Sequence, residues 1–425
     1  MLSHYREAAL IEIKKFFKHL VLCLRWILIS IFVGIVMGTI CAAFSHALSF
    51  VTGLRMEHGG IIWLLPIAGL LITFIYQKFG KQVAPGTNMA LAAINSDEKI
   101  PFRMLPIIFI TSIISHMFGA SVGREGAALQ MGASFGNTCA SAFKLDDNDR
   151  KILIMAGMSA AFSALFGTPL AAAIFSIEVI SVGVMYYAAL VPCIVSSLIS
   201  INIAKLLGVT YIDYSGLLEI PKFTPFTATM TAVLGVLCAV LSIVLCVILI
   251  LSERIFVDHI KNPYVRILVA GLMIAILTFL VGSQDYNGLG SMVLQSAVAG
   301  KAVWYAFILK AIYTVISLSG GYKGGEIVPV LFIGATFGCT ISSLVSMPPE
   351  FCAALGMLAV FCGVTNTPLA TMIIGVELFG SGALGFFCLV IAISYMLSGY
   401  YSLYKSQLII YSKYKSVYVH KSAKR

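Results

Sequence analysis

The chain has 425 residues, of which 60% are hydrophobic and 11% charged, with a formal net charge of +10. A soluble domain carries about 25% charged residues, so this composition excludes a soluble enzyme or binding module and describes an integral membrane protein. The Lys and Arg excess gathers at the chain ends, so it reads as membrane topology and not as a nucleic-acid footprint.

In chain order, residues 1–22 interleave apolar positions at helical spacing with Lys14, Lys15 and Lys18. That pattern suits a helix on the inner membrane surface, and no small-residue cleavage site follows a short apolar core. Apolar stretches then run Cys23–Val51, Ile61–Tyr76, Met104–Phe118, Ile152–Phe166, Pro169–Leu206, Phe226–Leu251, Ile267–Val281, Val303–Leu318, Val328–Val345, Phe351–Phe361 and Pro368–Leu403. Several fall short of the ~20 residues a straight crossing requires, so some are expected to be half-helices buried in protein. Lys14, Lys15, Lys18 and Arg25 precede the first span, and Lys405, Lys413, Lys415, Lys421, Lys424 and Arg425 follow the last. This distribution predicts that both termini are cytoplasmic. The short tail and the lack of a targeting sequence point to a bacterial inner membrane with no appended regulatory domain.

Internal repetition sets the expected organisation. Gly157-Met158-Ser159-Ala160-Ala161-Phe162 leads to Thr168-Pro169-Leu170-Ala171 and Glu178; Gly356-Met357-Leu358-Ala359-Val360-Phe361 leads to Thr367-Pro368-Leu369-Ala370 and Glu377. Pro and Glu are nine residues apart in both. Upstream, Met131-Gly132-Ala133-Ser134-Phe135-Gly136 is answered by Ile333-Gly334-Ala335-Thr336-Phe337-Gly338. Matched blocks in one order argue for duplication, which in transporters brings two halves together at a midplane site. The chain therefore divides into an interfacial helix (1–22), a first transmembrane repeat (23–207), a more polar linker with Asp213 and Glu219 (208–225), a second repeat (226–404) and a basic cytoplasmic tail (405–425).

The ten cysteines are scattered through apolar stretches, without a Cys-x-x-Cys pair or a histidine at ligand spacing. They read as small buried hydrophobes, and no metal or cofactor is expected. Neither a His-Glu-x-x-His zinc helix nor a Gly-x-x-x-x-Gly-Lys-Ser/Thr loop is present, so an intramembrane enzyme lacks these signals.

The most informative residues are Gly123-Arg124-Glu125-Gly126, an Arg–Glu pair between glycines inside an apolar chain. Ionisable groups in such surroundings are expensive and mark ion pathways. An unwound, glycine-rich backbone entering a helix presents free N–H groups at a positive dipole end, which binds anions. If the halves cross the membrane in opposite senses, the openings at Gly123 and at Gly324-Gly325 converge on the centre. Gly119, Gly132 and Gly136 read instead as close-approach positions between helices. The alternative for Arg124 and Glu125 is a structural pair, although adjacent residues do not ordinarily face each other on a helix.

The tetrad, followed by Ala127, resembles the gating-glutamate motif of the CLC family of anion channels and proton-coupled antiporters. Pro85-Gly86-Thr87-Asn88-Met89 lies where that family has its Gly-Ser-Gly-Ile-Pro anion loop. Gly325-Glu326-Ile327-Val328-Pro329 is similar to its Gly-x-Phe-x-Pro segment, and Tyr404 to its central tyrosine. The resemblance implies an all-α inverted-repeat bundle with many tilted and half-length helices, assembled as a homodimer with one path per subunit. It further implies gating and proton transfer by Glu125 and Glu326, and anion binding by Thr87, Asn88, Met89, Gly123, Arg124, Gly126, Ile327, Val328 and Tyr404.

The departures from the chloride members are specific. Thr87, Asn88 and Met89 replace the serine, second glycine and proline, and Val179 stands where chloride/proton antiporters carry an internal glutamate. With Glu326 at its variable position, the second segment looks like the fluoride-transporting subgroup. Asn88 and Thr87 offer donors to a strongly hydrated anion, while the Met89 thioether suits shape or polarizability; the register among the three stays open. The reading is a fluoride/proton antiporter and not an enzyme, the alternative a chloride/proton antiporter or passive anion channel on the same scaffold. Glu326 has pairing with Lys323 as its alternative, and Tyr404 a place among interfacial aromatics such as Tyr400 and Tyr401. Glu178 and Glu377 read as structural or water-boundary acids, and His116 as a hydrogen-bonded core histidine. Lys144 to Lys151 and Glu253 to Lys261 read as solvated loops.

Overall fold

The protein is described by a computed structural model covering residues 2–80, 86–96 and 98–423. Pro85, Lys424 and Arg425 lie outside the described residues, as do the side chains of residues 2–9. The first half contains α1 (Leu2–Glu57), α2 (Leu65–Phe79), α3 (Asn88–Asn95), α4 (Met104–Met117), α5 (Glu125–Ala142), α6 (Asp147–Phe166), α7 (Pro169–Glu178) and α8 (Leu190–Leu206). The second contains α9 (Pro225–His259), α10 (Pro263–Val281), α11 (Ser291–Val298), α12 (Ala306–Gly320), α13 (Ile327–Thr340), α14 (Ser342–Val345), α15 (Pro349–Thr365), α16 (Pro368–Phe379) and α17 (Leu384–Leu397). It is an all-α membrane bundle. Among the described residues, Leu10–Glu57, Gly59–Phe79, Tyr187–Leu206, Pro225–His259 and Pro263–Val281 are long and apolar enough to cross a membrane. Other apolar helices, including α7, α13 and α16, are only 10–17 residues long.

Three boundaries differ from the sequence reading. The helix α1 runs through residues 22 and 23 without a break. At 1.5 Å per residue it is about 84 Å long, far more than the ~30 Å hydrocarbon layer, so one end must stand clear of it. The expected basic tail folds back: β2 (Leu408–Tyr411) pairs in parallel with β1 (Ser181–Val182) and antiparallel with β3 (Tyr418–Ser422). Lys413 turns inward, its ammonium donating to the Tyr395 carbonyl at 2.8 Å. Arg150, in the first turn of α6, is buried too, reaching the Glu98 carbonyl and Asn137.

The duplicated blocks pack in the same way. The helix α5 lies against α6, where a Cβ on Gly132 would stand 2.2 Å from the Gly157 carbonyl oxygen and one on Gly136 2.2 Å from that of Leu153. The helix α13 lies against α15, where a Cβ on Gly334 would stand 2.5 Å from the Gly356 oxygen and one on Gly338 2.1 Å from that of Cys352. Without a hydrophobic drive between helices in lipid, such backbone contact is what draws membrane helices together. Gly119 does something else: at φ +91° it turns the chain after α4.

The two halves also satisfy each other. The Pro at the start of α7 and of α16 follows a threonine that makes no side-chain cap. Instead Glu377 of α16 accepts from the Leu170 and Ala171 N–H groups of α7, at 3.0 and 2.9 Å. Glu178 of α7 reciprocates, accepting from Leu369 and Ala370 of α16 at 3.1 and 2.8 Å. Carboxylates suit helix starts, where orphan donors and the dipole are positive. These glutamates are therefore structural caps exchanged between repeats. Phe162, Phe175 and Phe361 continue the junction, with ring centroids 5.2 and 5.9 Å apart.

Two outcomes follow in thermal unfolding of detergent-solubilised protein. Gly157→Ala and Gly356→Ala should each cost about 1–3 kcal/mol, because the new methyl meets backbone that cannot yield cheaply. Glu178→Ala and Glu377→Ala should cost about 1–3 kcal/mol by orphaning two donors, and the Gln variants, which keep an acceptor, should cost less.

Candidate functional site

The site begins where two broken helices touch. Gly123, before α5, and Gly325, before α13, exchange both backbone hydrogen bonds: Gly123 N–H donates to Gly325 O at 2.5 Å and Gly325 N–H to Gly123 O at 2.6 Å. Glycine is required on both strands. A Cβ on Gly325 would stand 2.5 Å from the Gly126 nitrogen, one on Gly126 2.6 Å from the Gly325 Cα, and one on Gly324 2.4 Å from Val122. The first turns of α5 and α13 thus open side by side from opposite repeats, and their leading N–H groups lack intrahelical partners. Ile327 and Val328, the first residues of α13, are buried, and a Cβ on Gly123 would lie 3.2 Å from the Val328 nitrogen.

Polar atoms without partners collect here. Glu125, the first residue of α5, is 1% exposed; Arg124 Nε donates to its Oε1 at 3.1 Å, and its Oε2 has no hydrogen-bond partner. Arg124 is the residue immediately before α5. Its guanidinium also donates to the Leu165 carbonyl at 3.1 Å. Thr87 Oγ1 is buried without a hydrogen-bond partner, and Tyr404 is fully buried with its hydroxyl in the same condition. A Cβ on Gly126 would be 3.1 Å from Thr87 Oγ1 and 3.6 Å from Glu326 Oε2, so these groups converge. Asn88 Oδ1 accepts from the Ser406 N–H at 3.0 Å, which fastens the start of α3 to the segment after Tyr404.

A cavity of about 370 Å³ leads to this point, with Thr87, Asn88, Gln130, Lys323, Glu326 and Lys405 on its wall. Arg124 and Glu125 lie beyond that wall, and Met89, 2% exposed, packs in the hydrophobic core instead of lining it. Lys323 lies over the Tyr76 ring at 4.2 Å, and no ion pair among the described residues joins it to Glu326. Several wall residues escape sequence reasoning. Gln130 donates to the Gly126 carbonyl at 3.1 Å, and a buried amide one turn after the tetrad is the signal that would have found it. Ser112, buried with an unpartnered hydroxyl, carries no such signal. Glu253 lies within α9 and not in a solvated loop, paired with Lys405.

Among the described residues no group of three His, Cys, Asp or Glu side chains is placed to hold an ion, and the cysteines are free thiols. Gly132-Ala133-Ser134-Phe135-Gly136 has the spelling of a nucleophile elbow, but it lies inside α5 against α6, with Ser134 donating to the Pro101 carbonyl; an elbow needs a strand-to-helix turn. His116 is a buried core residue, its Nδ1 2.8 Å from the Ser112 carbonyl.

Against known proteins, residues 68–399 match the family described as voltage gated chloride channel. The chain belongs to this CLC family. Its members are transporters and channels, not enzymes. A chloride/fluoride channel protein of Pseudomonas syringae pv. tomato is 35% identical over 407 residues, 92% of this chain and 88% of that one. The H(+)/Cl(-) exchange transporter ClcA of Vibrio cholerae is 24% identical over 386 residues, 82% of this chain and 81% of that one. Among solved structures, a CLC-type fluoride/proton antiporter superposes with a TM-score of 0.87 at 31% identity, covering 90% of this chain and 97% of that one. A slow cyanobacterial Cl-/H+ antiporter shares the fold, with a TM-score of 0.75 at 19% identity over 88% of this chain and 94% of that one.

The unpartnered hydroxyl of Tyr404 is the simplest group to test. Whether it meets an anion is read by calorimetric titration with fluoride: a hydroxyl that donates to the ion makes Tyr404→Phe bind about tenfold more weakly, the loss of one hydrogen bond to a charged group, and unchanged affinity shows that it does not.

Proposed function

We propose that this CLC protein is a proton-coupled fluoride antiporter that exports fluoride in exchange for protons. The observation that carries the reading is the Glu125 carboxyl, buried at the meeting point of the α5 and α13 starts with one oxygen unpartnered. A carboxylate and a halide compete for one positive field. When Glu125 gains a proton it loses its claim on that field, swings away and admits the anion; when it releases the proton it returns and expels the anion. Each cycle moves a proton as the carboxylic O–H and an anion in the opposite sense. Glu326, on the cavity wall beside Thr87, is the second acid, taking the proton on the other side where Val179 offers none. Thr87, Asn88, Tyr404 and the N–H groups of Gly123, Gly126, Ile327 and Val328 replace the water shed by the anion, Arg124 supplies charge, and Met89 shapes the loop from behind.

Fluoride is favoured over chloride by the loop substitutions at Thr87, Asn88 and Met89 and by Glu326 at the variable position of the second segment, and by the 31% identity to a CLC-type fluoride/proton antiporter. Chloride/proton exchange is the second reading, favoured by the name of the Vibrio cholerae relative, with passive conduction beside it, favoured by the name of the Pseudomonas syringae relative. The rest of the proposal is a homodimer with one path per subunit, and a bacterial inner membrane with cytoplasmic termini.

Purified protein in liposomes tests it. An imposed fluoride gradient should pump protons uphill while an equal chloride gradient pumps few, and Glu125→Gln should abolish proton movement. Proton flux unaltered in that variant would falsify the role of Glu125, and stronger pumping by chloride would transfer the reading to the chloride branch.

A further inference from the structure

The wall of the cavity carries charges that the cycle above leaves unused. Glu253, near the end of α9, forms an ion pair with Lys405, the residue after Tyr404. Their side chains are 41% and 34% exposed, so the pair stands at the wet mouth of the cavity whose wall also holds Glu326 and Thr87. Resting on the reading of this cavity as the anion path, we propose that Lys405 is an anion-loading site at the mouth opposite Glu125, and that Glu253 is its resident counter-ion, displaced whenever an anion enters.

Three observations carry this. First, position: the backbone of Ser406 is held by Asn88 Oδ1 at 3.0 Å, so Lys405 is fixed one residue from the fully buried Tyr404 and beside the helix that presents Thr87. Second, chemistry: an ammonium is a compact, hydrated charge with rotatable donors, suited to an anion that has not yet shed its water. Lys323, over the Tyr76 ring, places a second ammonium on the same wall. Third, strength: half-exposed ion pairs are weak because water and salt screen them. A weak pair is easily replaced by an incoming anion, whereas the Arg124–Glu125 pair at the other end is buried, with the Glu125 side chain 2% exposed. Each end of the path is then guarded by a carboxylate on a cation, one wet and quickly exchanged, the other dry and released by a proton.

The competing account is a bridge that merely ties α9 to the segment after α17. Full-length protein in liposomes separates the two, using Glu253→Gln, Lys405→Gln and the charge swap Glu253→Lys with Lys405→Glu. The loading site predicts that Glu253→Gln lowers the anion KM about threefold and Lys405→Gln raises it about threefold, the size of a screened pair. Protons per anion should stay as in the wild type. The swap should match Lys405→Gln, because a carboxylate at 405 repels the anion. A lowered KM is a gain that misfolding does not produce. Unchanged KM in both single variants, or a swap that restores wild-type KM, would overturn the proposal in favour of the bridge; fewer protons per anion in Glu253→Gln would overturn it in favour of a proton relay. Run with fluoride and chloride in parallel, the shift is read on whichever anion the wild type carries, so a chloride preference overturns the fluoride reading alone.

Discussion

The site depends on one backbone contact, the double hydrogen bond between Gly123 and Gly325. Inside a membrane an unsatisfied N–H or C=O costs several kcal/mol, so a chain cannot break its helices there without finding partners for the freed groups. Here two breaks supply each other. That solution demands strands closer than any side chain allows, which is why Gly123, Gly324, Gly325 and Gly126 cluster at the crossing. Its consequence is electrostatic: two helix starts are held side by side, each with donors left over, in surroundings that screen them poorly. A buried carboxylate and an anion are both answers to that field.

The same economy governs the junction of α7 with α16. Both helices begin at a proline after a threonine that does not cap, and each receives its cap from the glutamate at the far end of the other. Neither repeat is complete alone. Duplication in this chain is therefore more than a record of descent, since the energetics of each half are closed only by the other. The glycine contacts of α5 with α6 and of α13 with α15 perform the matching service within each half, bringing the backbone bearing the site against a rigid partner.

How far the sequence discloses this varies with the range of the interaction. The duplicated blocks are legible because they repeat residue types at fixed spacing, and the helix-approach role of Gly132 and Gly136 follows from that pattern. Membership of the CLC family is legible in the resemblance carried by Gly123-Arg124-Glu125-Gly126 and its companion motifs, and the all-α bundle is what that resemblance implies. That Glu178 is structural is legible; what it caps is not, because its partners at Leu369 and Ala370 belong to the other repeat and nothing local marks them. Arg124, the residue before α5, pairs with Glu125 although the two are adjacent, a contact that the helical spacing rule does not foresee. Met89 and Asn88, adjacent in sequence, divide between core packing and a backbone clamp that only the fold reveals. Glu253 and Lys405 look like ordinary boundary charges until α9 and the chain after α17 are brought together.

The frame is symmetric and its charges are not. Aligning the repeats on Gly123 and Gly325, which also aligns Gly132 with Gly334 and Gly136 with Gly338, sets Glu125 opposite Ile327 and Glu326 opposite Arg124. Each carboxylate thus faces a non-acidic residue in the other copy, and the two acids are offset by one position. One residue turns a helix by about 100°, enough to send side chains leaving equivalent helix starts in different directions. Glu125 accordingly lies beyond the cavity wall on Arg124, while Glu326 lies on the wall beside Thr87. Had both repeats kept the same acid at the same position, the two carboxylates would stand in equivalent fields, and neither side of the membrane would be distinguished from the other. The one-residue offset gives each acid its own neighbours, Arg124 for Glu125 and the cavity beside Thr87 for Glu326.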